Sequence, residues 1–493
     1  MMKKCTAEVP GYLTVYLALT LAVLLPFCLA LIEGVRSNAV RMETECVMDI
    51  GLNSVLAEYH RELFRRYNLF AIDSSYGTVN ASYENTKEHM QNYLERNFSM
   101  EDIFLSDYLY RDFLSISLDS LEMTGVSVLT DDGGAVFRKR AIEAVKDDLN
   151  VTLMQELAQW MQTVENNGFC DGHVEEQRRE AQETLQSYDG KEVQIAENET
   201  KIVQVPNPVG ELENVRNTGL LTWVIKDEEA LSAKTLISDS LIIARMENGQ
   251  VSAGNRKKTQ AENAKNVNED SLSFAEKFLF QEYLFRYMGY YGQPKEGSVL
   301  DYQVEYLLSG KDSDRKNLET VVTQICVIRE AANAMYLFSD SEKCKQAEVV
   351  ARLLATLVQV PELAEPLQIT LLLGWAYAES LYDMKTIMAG GKVLLLKDDK
   401  SWHYSLENAL VLADGNNQGA KGLGYKEYLR LLMAFANLED LTKRAMNMVE
   451  ADIRTTPGNG AFRLDGCYDW VEFEAKVKSC YGYEFTIRRG KEY

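Results

Sequence analysis

Histidine is scarce in this sequence: His60, His89, His173 and His403 are all there is in 493 residues. No HExxH pair occurs, which excludes the usual two-histidine zinc helix of metalloproteases. Cys170-Asp171-Gly172-His173 has ligand-like spacing, but no second ligand pair stands at a usable distance, so no zinc site is assigned. GxxxxGK[ST] and GxSxG are also absent, which removes the P-loop and the nucleophile elbow. Gly419-Ala420-Lys421-Gly422-Leu423-Gly424 is rich in glycine but follows no strand signal and is out of GxGxxG order; it reads as a loop.

Cysteine is sparse too. Eight residues in a chain of this length exclude a disulfide scaffold. Only Cys467 and Cys480 lie close enough in sequence to suggest a local bridge. Basic charge falls short of acidic charge, 52 Lys+Arg against 74 Asp+Glu, for a net charge of −22. That excess argues against binding a phosphate backbone, so no nucleic-acid partner is expected. It also argues against electrostatic docking on anionic headgroups, and it favours solubility and basic or cationic partners.

The most telling shortage is local. From Gly11 to Ile32, GYLTVYLALTLAVLLPFCLALI, there is no Asp, Glu, Lys or Arg. At 1.5 Å of rise per residue this run reaches about 33 Å, enough for a hydrocarbon core of about 30 Å. Tyr12 and Tyr16 stand where an interfacial aromatic belt lies, and Pro26 is tolerated in a membrane helix. A soluble helix rarely lacks a polar face over six turns. The rival reading is a cleaved signal peptide ending near Cys28-Leu29-Ala30, but the run exceeds the 7 to 15 residues of a usual h-region. Leu25-Pro26-Phe27-Cys28 is not a lipoprotein box, because Phe27 is too large for the position before the cysteine. Lys3 and Lys4 before the run nearly balance Arg36 and Arg41 after it, so the charge rule alone does not orient it. A tail of residues 1–10 is too short to fold, so the expected arrangement is a cytoplasmic tail, a single-pass signal-anchor at 11–32, and a body outside the cytoplasm.

Beyond the apolar run, Met42, Val47, Ile50, Val55, Leu56, Tyr59, Leu63 and Tyr67 recur at helical spacing, predicting one amphipathic continuation of the membrane helix. Asn68–Asp73 reads as a short strand. Leu114, Ile116 and Leu118, then Val126 and Val128, alternate with polar residues and predict strands closed by Asp131-Asp132-Gly133-Gly134. A helix is expected over 135–161, then an exposed helix and linker to 217 broken at Pro206-Asn207-Pro208. Arg256-Lys257-Lys258 lies in a polar gap and reads as a loop. Ser271 is the expected cap of the next helix. Further helices are expected at 301–308, 318–338, 347–360, 366–388 and 425–448, with 349–360 and 367–378 as a buried hairpin of helices. Val471, Phe473, Ala475 and Val477, then Tyr483, Phe485 and Ile487, alternate with polar residues around a turn at 479–482.

Strands at both ends and helices between predict a mainly helical α+β protein. Its small antiparallel sheet joins N- and C-terminal strands around a large inserted helical block. The expected segments are the helix and strands of 33–134, a helical segment and linker at 135–217, a helical domain at 218–460 and a C-terminal hairpin at 461–493.

One polar constellation stands out. Trp375, Glu379 and Asp383 fall at successive fourth positions and share a helix face. Two carboxylates so placed hold a cation, act as an acid/base pair, or pair with nearby Lys or Arg. Tyr302, Gln303 and Glu305 form a second cluster. Neither defines a catalytic, cofactor or metal site, and the chain is not expected to be an enzyme.

The N-terminal layout resembles the TadE/TadG-like proteins of the Flp (tight-adherence) pilus and secretion apparatus. The matching parts are Gly11–Tyr16, the apolar helix through Ile32, Glu33-Gly34-Val35-Arg36 and the helix beyond. More of the chain resembles a family of uncharacterised Gram-positive proteins grouped with them. Glu62–Ala71, Leu300–Leu308 with Gly310-Lys311, and Trp375 through Asp383 carry that likeness. The resemblance implies a cell-surface component working by protein contact, with membrane lipid, pilus or secretion proteins and further copies of itself as partners. Tyr16 stands where a prepilin peptidase site has an acidic residue, so processing and bulk polymerisation are not implied.

Overall fold

A computed structural model describes residues 12–99, 114–196, 199–225, 227, 230–251, 272–412 and 421–493. The short tail, the Arg256–Lys258 loop and the Ser271 cap lie outside the described residues. The chain divides into two compact units, Met1–Val136 with Gln250–Asn266 and Thr456–Tyr493, and Phe137–Gly249 with Val267–Thr455.

The first unit begins with α1 (Tyr12–Leu56), a single helix of 45 residues that runs through Pro26. Up to Val35 nearly every residue is exposed, whereas Val40, Thr44, Val47, Met48, Gly51, Leu52 and Val55 are buried. That second set repeats at three and four residues, so one face of the same helix becomes a core face. The helix stops at Leu56 rather than continuing to Tyr67. Residues 57–60 turn, and His60 caps α2 (Arg61–Tyr67) by accepting the Leu63 N–H through Nδ1 at 3.1 Å. Met42 and Ile50, expected on the apolar stripe, are exposed.

Next come β1 (Ile72–Asp73), α3 (Tyr83–Phe98) and β2 (Ile116–Val128). The two strands expected in 113–130 are one, irregular at three points along its pairing. The chain returns at the end with β5 (Cys467–Ser479) and β6 (Glu484–Glu492). β5 is central: β2 pairs with it antiparallel along one edge, β6 and the short β1 along the other. The sheet from N- and C-terminal strands is therefore present, with the helical block inserted between its halves. Val471, Phe473, Ala475 and Val477 are fully buried and meet Val47, Met48 and Leu52 of α1 and Met90 and Leu94 of α3 in one core. The alternating partners Glu472, Glu474, Lys476 and Lys478 occupy the other face, as a period of two demands. Cys467 and Cys480 form no bridge with each other: they stand at opposite ends of the 13-residue β5, far beyond bridging distance.

The second unit receives the chain within α4 (Asp131–Glu143) and continues through α5 (Val151–Asn166), α6 (His173–Tyr188), a two-stranded ribbon β3 (Glu192–Ala196) and β4 (Glu199–Ile202), α7 (Gly210–Thr218), α8 (Leu220–Val224) and α9 (Ile242–Glu247). The helix expected over 135–161 is broken: Asn150 caps α5 with its side chain. The ribbon lies inside the stretch read as linker. α10 (Phe274–Tyr287) starts from Ser273, which forms a capping box with Glu276.

The core of this unit is α11 (Gln303–Ser309), α12 (Asp314–Ser339), α13 (Ser341–Val358) and α14 (Ala364–Met388). After α15 (Leu406–Leu410) come α16 (Tyr425–Phe435) and α17 (Leu438–Arg454), separated at Ala436-Asn437, where one helix was expected. Asn437 caps α17. The buried hairpin of helices is half right. α14 is buried around its circumference, but Val349, Leu353 and Leu357 on α13 are 61–67% exposed.

Candidate functional site

Glu379 and Asp383 project from α14 and are fully buried. Their surroundings come from three sources: α12, α14 itself, and the irregular segment 391–405. Arg329 of α12 donates to Asp383 Oδ2 through Nη2 at 2.8 Å and Nε at 3.1 Å. Its Nη1 donates to the Leu394 and Leu395 carbonyls, each at 2.8 Å. Asn333, one turn on, donates to Ser380 Oγ at 2.9 Å and Asp383 Oδ2 at 3.0 Å. The Lys397 ammonium sits between the carboxylates, 2.6 Å from Asp383 Oδ1 and bonded to Glu379 Oε1. Glu379 also accepts the His403 and Tyr404 backbone N–H groups at 3.1 and 3.0 Å. The Trp375 and Trp402 indoles both donate to the Tyr404 carbonyl, at 2.9 and 2.8 Å.

Charge and hydrogen bonding close this site on itself. Two carboxylates face one guanidinium and one ammonium. Burial pushes the Asp383 carboxyl up, but Arg329, Lys397 and Asn333 outweigh it and hold that carboxyl below the usual range. Glu379, Asp383 and His403 also present ligand atoms within 4.8 Å of one another, the only such trio among the described residues. The set does not fit a cation, because the Lys397 ammonium already occupies the space between the carboxylates. The chemistry the arrangement supports is mechanical: it ties a loop without regular structure to the two longest helices of the unit.

Arg329, Asn333, Lys397 and His403 were not found by sequence reasoning, and a signal existed for three of them. Arg329 and Asn333 lie four and eight residues after Ile325, on the buried face of α12. A charge and an amide there demand partners. Lys397 follows the apolar run Val393–Leu396. Tyr302, Gln303 and Glu305 are brought to a comparable duty. Gln303 accepts the Gly289 N–H at 2.9 Å and donates to Asp452 at 2.7 Å. Glu305 Oε1 accepts the Tyr291 N–H at 2.9 Å and the Tyr425 hydroxyl at 2.7 Å, while Oε2 has no hydrogen-bond partner among the described residues. Burial pushes the Glu305 carboxyl up to about 7. Cys170 and His173 are exposed and join no other ligand pair among the described residues.

A cleft of about 490 Å³ opens elsewhere in the second unit, among α6, the stretch 205–217 and α14. Leu185, Val209, Leu212, Leu373 and Tyr377 give it apolar walls. Its two arginines are already neutralised: Arg178 and Arg216 both pair with Glu330 and Glu175. Burial raises the Glu330 carboxyl to about 7 against the pull of Arg216. Among the described residues, Glu213 accepts only from the amides of Gln182 and Asn207, and Asp189 from the Val205 N–H. The rim is thus acidic and without a paired cation at these two carboxylates.

Comparison with curated proteins and with solved structures finds no match. A family model, described as a family of unknown function (DUF5702), matches residues 197–479. That span holds Arg329, Glu379, Asp383, Lys397 and His403 and more than half of the sequence, so the chain belongs to this family of unknown function, DUF5702.

Proposed function

We propose that this protein is a membrane-anchored, extracytoplasmic structural component of an Flp/Tad-like pilus or secretion system, acting through protein contacts. The carrying observation is α1: its first five turns are apolar and exposed, and the same helix then enters the core of the first unit. An exposed apolar helix needs an apolar solvent, which a bilayer supplies. The stripe Val349, Leu353 and Leu357 adds an apolar face of the kind that protein partners cover. The buried ion cluster speaks against an enzyme, since its carboxylates are saturated by Lys397 and Arg329. Deleting the gene and scoring piliation and secretion tests the reading; unchanged machinery refutes it.

The cleft favours a second reading, an anchored adhesin or sensor ectodomain unrelated to pili. Apolar walls and the unpaired carboxylates Glu213 and Asp189 suit a cationic head on an aliphatic stem, such as a lysine side chain. Affinity capture from detergent extracts separates the two readings. Pilus or secretion components in the eluate support the first, and a reproducible partner set lacking them supports the second.

A further inference from the structure

The helix α1 serves as a ruler. Its apolar run ends at Ile32, and Arg36 follows four residues later with no break in the helix. Four residues rise about 6 Å. The headgroup layer on each side of a bilayer is about 5–8 Å deep, the difference between a core of about 30 Å and a full thickness of about 40–45 Å. With Ile32 at the edge of the hydrocarbon, Arg36 lies within that layer.

The body of the first unit already touches the helix at this height. The Arg36 guanidinium lies over the Tyr481 ring, 4.4 Å from its centroid. Arg41, the next turn up, lies 5.6 Å from the Phe485 ring centroid. The start of β2 joins the same end: Ser479 Oγ donates to the Leu114 carbonyl at 2.6 Å and the Cys480 N–H to the Ser115 carbonyl at 3.2 Å. The turn between β5 and β6 is therefore the part of the sheet nearest the apolar run. Tyr481 remains 43% exposed there. A tyrosine has an apolar ring and a hydroxyl that seeks water, the combination that concentrates at membrane interfaces.

We infer that the β5–β6 turn, with Tyr481 at its tip, seats in the phospholipid headgroup layer, so that the first unit rests on the bilayer surface. The inference builds on the membrane-anchored reading of α1. The contact is made by the tyrosine ring, with the Arg36 guanidinium beside it at the same level. The unit is then fixed in height by an unbroken helix and in rotation by the turn.

The test uses the full-length chain in nanodiscs of zwitterionic phosphatidylcholine, with the photoreactive amino acid benzoylphenylalanine placed singly at Tyr481, Leu21 or Val79. Tyr481 is a turn residue and Val79 is exposed in the same unit, so neither probe disturbs the core. After irradiation, lipid adducts are counted by intact-protein mass spectrometry. The expected result is adducts at Leu21 and at Tyr481, with Val79 at least tenfold lower. Adducts at Leu21 with Tyr481 no higher than Val79 overturn the inference and leave the anchor standing. Loss of adducts at Leu21 as well overturns the anchor itself, and the inference falls with it.

Discussion

Arg329 and Asp383 form a two-point ion pair out of reach of water, with side chains 0% and 1% exposed. Breaking such a pair from one side costs about 3–5 kcal/mol, because the remaining charge stays buried. Asp383→Ala therefore destabilises the second unit by about that amount. Arg329→Met/Asp383→Leu removes one charge of each sign and leaves Lys397 facing Glu379, so the double variant regains much of the loss. Denaturant titration of the purified full chain, followed by tryptophan fluorescence, measures both. Equal destabilisation of the single and double variants contradicts the pairing.

The architecture was legible where one periodicity ran uninterrupted. Val471, Phe473, Ala475 and Val477 alternate without exception, and they became the centre of the sheet. The apolar run of α1 needed only its missing charges to be read. The failures fall at breaks set by single side chains. Asn150 and Asn437 cap new helices inside stretches of continuous helical spacing. The exposed stripe on α13 was unreadable for a different reason. Apolar residues at helical spacing announce a face to be covered, and nothing in spacing says whether this chain covers it. The candidate site was half visible: Glu379 and Asp383 show in sequence, but Lys397 and Arg329 reach them across 14 and 54 residues of chain.

The position of Lys397 leads to a prediction about metals. In the wild-type protein, EDTA or added Zn²⁺ leaves the melting temperature unchanged, since the ammonium fills the space between Glu379 and Asp383. Lys397→Met empties that space and leaves an excess negative charge beside His403. The variant is less stable than wild type, and Zn²⁺ restores part of the loss. At 100 times the dissociation constant the gain is about 2.7 kcal/mol. His403→Ala in the Lys397→Met background weakens that rescue. Thermal melts with and without Zn²⁺ decide, and a zinc response in the wild type contradicts the geometry.

Glu305 makes stability depend on pH in a definite direction. Its folded pKa of about 7 exceeds the value of about 4.3 in an unfolded chain. Between these values the folded state holds a proton that the unfolded state has released, so stability falls as pH rises through this window. Glu330 acts in the same sense, whereas the lowered Asp383 makes its loss of stability at lower pH. Glu305→Gln imitates the protonated acid and keeps the oxygen that accepts from Tyr291 and Tyr425. The variant matches wild type near pH 5, exceeds it near pH 8, and shows a shallower slope between. Unfolding free energies at both pH values test this; a variant weaker than wild type at pH 8 contradicts a neutral Glu305.

Gly422 shows why a glycine-rich stretch here is structural. Its φ is +114°, and a Cβ would stand 2.2 Å from the carbonyl carbon and oxygen of Val393. The approach is that close because Leu423 and Val393 exchange backbone hydrogen bonds of 2.8 and 3.0 Å. Leu394 and Leu395, next along the chain, give their carbonyls to Arg329. A side chain at 422 must push the two backbones apart, breaking that bridge and loosening the carbonyls from the guanidinium. Gly390 supplies the control: its φ is +88°, but nothing lies within 4 Å of its added Cβ. Gly390→Ala pays only the left-handed backbone strain, about 1–2 kcal/mol, while Gly422→Ala adds the clash and lost hydrogen bonds and exceeds about 3 kcal/mol. Comparing the two variants in one denaturant series isolates the contact from the dihedral, and equal losses mean that backbone conformation alone, not closeness to Val393, demands the glycine.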